Sequence, residues 1–260
     1  MTETVTPKIK MTGVRKAFGQ KVVLDSFDLE VLPRESVVII GGSGSGKSVS
    51  LKCVLGLLQP DEGVIEIDGV DVGKLSHSDR EEVNSRIGML FQNAALFDSL
   101  PVWENVAFGL IQGKQMARNT AKDIAIDKLA QVGLGADVAV LSPAELSGGM
   151  RKRVGLARAI AGDPDIIFFD EPTTGLDPIM GHMIDNLIVE CVRNVGATAL
   201  TITHDMPSAR RISDRMAMLY KGKNIWQGPT ANIDNSGNDY VDQFITGSAE
   251  GPITMEVFRP

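Results

Sequence analysis

"SVVIIGGSGSGKSVSL", residues 36–51, sets a run of apolar residues against a glycine–serine loop, a lysine, and a segment that reads as a helix. The apolar run has the length and composition of a buried strand. The loop, GGSGSGKS at residues 41–48, fits the pattern Gly, any four residues, Gly, Lys, Ser. That spacing has a physical purpose. Glycines let successive backbone N–H groups converge on a chain of phosphates, and the helix that follows points its positive end at them. Gly42, Ser43, Gly44, Ser45 and Gly46 form the cradle, Lys47 can reach the β- and γ-phosphates, and Ser48 can bind Mg2+. A mere glycine–serine turn with an incidental lysine would not demand a strand on one side and a helix on the other.

A second stretch, "IIFFDEP" at residues 166–172, puts two carboxylates at the end of another buried strand. Asp170 can hold the metal ion, and Glu171 can then polarise a water beside the terminal phosphate. Phosphoryl transfer needs positioning and charge neutralisation more than covalent help, so two acids suffice. Adjacent acids are usually surface residues, but the C-terminal end of a strand in an α/β sheet is where ligands bind. His204, in "LTITHD", follows the next apolar strand and is a candidate third member. His77 and His182 have no such setting and are read as structural. Gln92 ends the strand "MLFQ" with a neutral side chain able to reach a metal ion or a water.

"LSGGM", residues 146–150, contains nothing more reactive than a hydroxyl, yet it opens a helix. By the logic of the first loop it is an anion site. One nucleotide needs only one phosphate loop. Two such sites make sense if they grip opposite ends of a nucleotide held between two subunits.

Working outward, residues 8–32 alternate apolar and polar and read as antiparallel strands. "SHSDREEVNSR" reads as a polar helix with Ser78 as its N-cap, and residues 101–135 read as helical with Pro101 in the first turn. A helix spans about 150–161, and "RKRVGLAR" within it reads as a solvated face with some ion pairs. "DPIMGHMIDNLIVECVRNVG" reads as a helix ended by glycine, and "RMAMLYKGKNIWQGPT" as a hairpin around Lys221–Lys223. The expected fold is α/β: a nucleotide-binding core with a mostly parallel sheet, an N-terminal antiparallel β subdomain, and an inserted α-helical subdomain at approximately 93–162. The domain is expected to cover 1–246, followed by a tail at 247–260.

The chain has 260 residues, 43% hydrophobic and 23% charged, with a net charge of −7. An acidic chain argues against a general nucleic-acid binder. Cys53 and Cys191 lie in apolar helical settings and read as small buried hydrophobes, with neither metal spacing nor a disulfide framework. The stretch MTETVTPKIK lacks the apolar core of a signal peptide, and the longest apolar runs are too short for a bilayer. The polypeptide is expected not to cross a membrane by itself.

The ordered set GGSGSGKS, Gln92, LSGGM, IIFFDEP, GLDP and THD resembles the P-loop ATPases of the ATP-binding cassette (ABC) family over almost the whole chain. The resemblance implies a head-to-tail homodimer with two ATP molecules between the subunits. It implies that Ser147, Gly148 and Gly149 grip the γ-phosphate from the partner side. Asp170 would support Mg2+, Glu171 would be the general base, and His204 would contact the γ-phosphate. Gln92 would sense metal and water and link to a membrane subunit, and Asp177 in GLD would communicate across the dimer. Phe18 in KAFG matches the aromatic residue that stacks on adenine, though it also reads as a strand core residue. Two departures stand out: the signature ends in Met150 where the family usually has Gln, and Val49 follows Ser48 where the phosphate loop usually continues to Thr.

"MLFQNAALFDSLPVWENVAF", ELSGGM and "DQFITGSAEGP" are similar to the ATPases of the Mla phospholipid-transport group. That likeness implies a subunit held at the cytoplasmic face of the inner membrane by integral-membrane permease subunits, with an MCE-type substrate-binding protein and a small accessory subunit in the wider complex. Residues from about Gly247 onward would lie against the neighbouring ATPase. Leu96, Phe97, Leu100 and Trp103 either pack the helical subdomain's own core or line a groove for a permease helix. An ATPase for import of a small polar solute such as an amino acid is the alternative, because the core motifs would look much the same. A soluble cassette protein acting on DNA or the ribosome fits poorly, since the chain has one cassette, no coiled-coil heptads and an acidic balance.

Overall fold

The computed structural model describes residues 5–254. Its centre is a six-stranded sheet of β3 (Ser36–Ile40), β6 (Ile87–Leu90), β7 (Ile166–Asp170), β8 (Thr198–Thr203), β9 (Arg215–Tyr220) and β10 (Lys223–Pro229). The strand order is β10-β9-β3-β8-β7-β6. All neighbours pair in parallel except β9 and β10, which are joined by a hairpin. Lys221 and Gly222 both take positive φ at its tip, as a two-residue turn of this hand requires. A second, antiparallel sheet runs β2-β1-β4-β5, built from β1 (Ile9–Phe18), β2 (Lys21–Val31), β4 (Glu62–Ile67) and β5 (Val70–Asp71). The expected fold class therefore holds.

Strand alternation sends successive side chains to opposite faces of the central sheet. Val37, Ile39, Ile166, Phe168, Leu200 and Ile202 pack on one side, with the antiparallel sheet and helix α1 (Lys47–Val54). Val38, Ile40, Ile167, Phe169 and Ala199 pack on the other, against helices. Both cysteines are buried, and burial pushes each thiol up to about 11, as expected of inert core residues.

Between β6 and β7 the chain forms α3 (Val102–Gln112), α4 (Arg118–Gln131) and α5 (Gly148–Ile160). The stretch expected to be helical over 101–135 holds two helices, the first of which is α3. It stops at Gly113, and Gln115 takes a left-handed φ of 51°. Pro101 sits just before α3 in extended backbone rather than in its first turn. The polar helix α2 (His77–Ser85) is capped by Ser76, whose hydroxyl accepts from the Asp79 N–H, and not by Ser78. Ser76 is the residue with extended backbone, which a cap requires.

Helices α6 (Pro178–Val195) and α7 (Met206–Ile212) flank β8, and α6 ends at left-handed Gly196. The last helix is α8 (Asp239–Thr246). After it, residues 247–254 fold back on their own chain. The Ile253 N–H donates to Gln243 Oε1 at 2.6 Å, and Gln243 Nε2 donates to the Ser248 and Ile253 carbonyls at 3.1 Å each. The remainder of the tail lies outside the described residues.

Candidate active site

Register fixes where the site lies. Ile40 pairs with Thr203, Asp170 with Ile202, and Leu90 with Phe169. The carboxyl ends of four adjacent strands therefore meet along one edge, where α/β sheets bind ligands. From that edge emerge the 41–48 loop, His204, Glu171 and Gln92.

The loop turns so tightly that a side chain is excluded at two positions. A Cβ on Gly41 (φ 153°) would stand 2.3 Å from the Leu219 carbonyl oxygen, and one on Gly46 (φ 111°) 2.8 Å from that of Val23. Lys47 is buried and folds back over the loop, donating to the Gly41 and Gly42 carbonyls at 2.7 and 3.1 Å. Burial lowers its pKa below the ordinary lysine value, opposed by the charges of Glu171 and Asp170. Ser43, Gly44 and Ser48 are exposed, and Val49 is half-buried against the core around α1.

Asp170 sits at the last position of β7, and burial, reinforced by Glu171, raises its pKa. Its Oδ1 is buried and accepts no hydrogen bond among the described residues, and Ser45 Oγ is likewise unpartnered. A carboxylate oxygen in that state, beside a phosphate cradle, suits a hard cation. Among the described residues no three His, Cys, Asp or Glu side chains cluster as a metal cage. That fits a cation held by one or two protein oxygens plus phosphates.

Glu171 is 9% exposed and has a left-handed φ of 47°. Its Oε2 accepts from the hydroxyls of Thr174 and Thr203, both at 3.2 Å, and from the His204 N–H at 3.4 Å. His204 Nδ1 lies 2.9 Å from the same oxygen, with 59% of its side chain exposed. A histidine engaged at Nδ1 leaves Nε2 for another partner. The sequence reading missed Thr174 and Thr203. Small hydroxyls beside GLDP and inside an apolar strand carry no signal of their own.

Gln92 is exposed two residues beyond β6, and its carbonyl accepts from Lys152. Lys152 also donates to the Glu171 carbonyl at 3.2 Å, and burial pushes its amine down to about 8. Arg158 donates to the carbonyls of Ala94 and Ala95. The "RKRVGLAR" segment is therefore not a solvated face. Its helix turns Lys152 and Arg158 inward onto backbone carbonyls, and Val154, Leu156 and Ala157 are buried.

Ser147 caps α5, accepting from the Met150 N–H at 3.3 Å, and with Gly148 it is exposed. No hydrogen bond among the described residues joins residues 147–149 to the 41–48 loop. Gly149 is buried against Met180, and Met150 packs on the helical core. Asp177 is exposed and caps α6, accepting from the Ile179 and Met180 N–H groups at 3.0 Å each. Phe18 stands at a hairpin tip, 49% exposed, with Lys16 Nζ 5.7 Å from its ring centre. It is not a core residue.

A family model described as ABC transporter matches residues 24–174. The chain belongs to the ABC transporter family. Over 95% of its length it is 40% identical to the probable ribonucleotide transport ATP-binding protein mkl of Mycobacterium tuberculosis, covering 68% of that protein. Over 92% of its length it is 39% identical to the intermembrane phospholipid transport system ATP-binding protein MlaF of Haemophilus influenzae, covering 90% of it. Among solved structures, the dimeric cassette MJ0796, in a post-hydrolysis state bound to ADP and Pi, superposes with a TM-score of 0.78. That likeness carries 31% identity and covers 85% of this chain and 98% of the other. This ABC cassette is an ATP-binding, ATP-hydrolysing subunit. No helix among its described residues is long and apolar enough to cross a membrane.

Proposed function

We propose that this cassette powers phospholipid transport between bacterial membranes. It works from the cytoplasmic face of the inner membrane, as a peripheral homodimer held by a separate permease that acts with an MCE-type protein and a small accessory subunit. The observation that carries the dimer is the division of the phosphate-binding parts. The 41–48 loop, Asp170, Glu171, His204 and Gln92 share one sheet edge, whereas Ser147 and Gly148 face solvent and, among the described residues, Ser147–Gly149 have no hydrogen bond to that edge. A second copy, head to tail, brings its Ser147 and Gly148 N–H groups to an ATP held by the first. The described tail residues, 247–254, fold on their own chain.

In this reading Gly42–Gly46, Lys47, Ser48 and the Val49 turn hold the phosphates, and Phe18 offers its open ring to adenine. Ser48, Gln92 and the unpartnered Asp170 Oδ1 would hold Mg2+. When bound it supplies charge neutralisation at the phosphates. Glu171 takes a proton from the attacking water. His204, engaged at Nδ1 with that carboxylate, turns Nε2 to the γ-phosphate. Asp177 lies at the subunit contact.

Phe91, Phe108, Leu110 and Met89 line a groove of about 670 Å3 between β6 and α3, open to solvent. Phe97 stacks on Phe108 at 4.5 Å between ring centres and is itself 43% exposed. Glu81, Asn84, Lys114 and Arg158 line the same cleft, and this mixed surface next to the Gln92 segment suits a short amphipathic helix of the permease. Leu96 and Trp103 instead pack on the helical core.

The lipid assignment rests on likeness to MlaF over nearly the whole chain. The name carried by mkl favours a polar solute as the second reading. Deleting the gene and measuring outer-membrane lipid leakage and solute uptake separates them. A leakage defect supports lipid, and a pure uptake defect overturns it. Co-purification with the products of neighbouring genes tests the permease and the MCE-type protein.

A further inference from the structure

We propose that one face of α5, made by Lys152, Gly155 and Arg158, mechanically joins the phosphate grip at that helix's start to Gln92 and Glu171, with Lys152 as a positioning residue for hydrolysis. The inference rests on the reading of Glu171 as base and Gln92 as sensor.

Residues three apart on a helix share a face. On this face Gly155 allows close approach. A Cβ there would meet Leu90 Cδ1 at 2.7 Å and the Ala94 side chain at 3.1 Å. Approach brings Lys152 Nζ onto the carbonyls of Gln92 and Glu171, and Arg158 onto those of Ala94 and Ala95. No other side chain among the described residues bonds to both Gln92 and Glu171.

The backbone being held is strained. Ala94 (φ 60°), Ala95 (φ 46°) and Glu171 (φ 47°) are all left-handed without being glycine. Such conformations persist only where the surroundings over-determine them. Lys152 is 5% exposed, so its loss would also strand the buried Glu171 carbonyl.

The other end of the link is Ser147. Its carbonyl accepts from the Arg151 N–H, and Lys152 follows within little more than one helical turn. A displacement of Ser147–Gly149 on engaging the partner's ATP therefore moves the anchor of this subunit's own Gln92 and Glu171. The two composite sites communicate through Lys152 in addition to any contact at Asp177.

The test is steady-state ATP hydrolysis by the full-length dimer, with ATP titrated, for Lys152→Gln. Lys152→Gln should lower kcat by about tenfold or more, because small misplacements of a reacting geometry are costly, while KM for ATP stays within about two-fold. Lys152→Arg, which keeps a cation and its donors, should recover part of the loss. Arg153→Gln, on the same helix but off this face, should stay within about two-fold of wild type.

Normal kcat in Lys152→Gln overturns the proposal. So does a loss matched by Arg153→Gln, or one in which ATP binding and melting temperature fall together, since each marks a purely structural brace. Glu171→Gln in the same assay keeps the two readings apart. If it hydrolyses normally, the base assignment fails. If it is inactive while Lys152→Gln is normal, only the link fails.

Discussion

His204 Nδ1 lies 2.9 Å from Glu171 Oε2, joining the residues that follow two neighbouring parallel strands. The same oxygen accepts from Thr203 and Thr174. The imidazole is thus the exposed member of a network that fixes the carboxylate's direction. His204→Ala should lower kcat by roughly 10²-fold or more, the scale of a positioned proton-transfer group, with ATP affinity little changed. Hydrolysis and nucleotide binding measured side by side check this. Near-normal turnover would make the histidine a bystander.

Glu171→Gln keeps the shape of the side chain and its acceptor toward Thr203, but removes the base. The expected outcome is ATP binding at wild-type affinity, turnover reduced by about 10²-fold or more, and a dimer that persists in ATP. Size-exclusion chromatography with and without ATP reads the trapped dimer. A variant that hydrolyses at the normal rate would take Glu171 out of the base role.

Much of this site was legible in the sequence because its chemistry is local. A strand, a glycine loop and a helix predict a phosphate cradle, and the structure puts Gly41 and Gly46 where no side chain fits. The inward turn of Lys152 and Arg158 was not legible. Cations are assigned to solvent by default, and only the mid-helix Gly155 between them hinted at a close approach. Phe18 was ambiguous for a different reason. Its strand carries register shifts between Met11 and Ala17, so alternation counted along the sequence no longer predicts which face a residue takes. The break after Gly113 was hidden because residues 101–135 are helix formers on both sides of it.

Asp185 offers a test of stability away from the chemistry. It is 1% exposed on α6 and accepts from Ser208 Oγ at 2.6 Å and from Arg211, both on α7. Removing the carboxylate with Asp185→Ala should cost about 3 kcal/mol, as for other buried charge-assisted bonds. For a chain of this size that lowers Tm by roughly 6–12 °C in calorimetry. Burial raises the Asp185 pKa, against the pull of Ser208 and Arg211. The native state therefore binds this proton more tightly than the unfolded chain does. The group's contribution is full below the ordinary carboxylate value and declines as pH rises through the native one. Asp185→Asn, which mimics the protonated form, should stay close to wild type at low pH and gain on it as pH rises to neutral.

A mixing experiment tests the division of labour between subunits. Lys47→Ala removes the phosphate-loop amine, and Ser147→Arg fills the grip that a subunit lends to its partner. Each homodimer should be inactive, because every site carries one defect, while Ser147→Arg alone leaves ATP binding to a single subunit intact. In a head-to-tail heterodimer one site receives both defects and the other receives none. Equal mixing makes half of the dimers mixed, each with one sound site, so if sites act independently activity should return to about a quarter of wild type. If both sites must be sound before either fires, the mixture stays inactive while ATP still drives dimer formation. Activity in the Ser147→Arg homodimer would refute the grip itself, since a phosphate held wholly within one subunit has no use for the partner's serine.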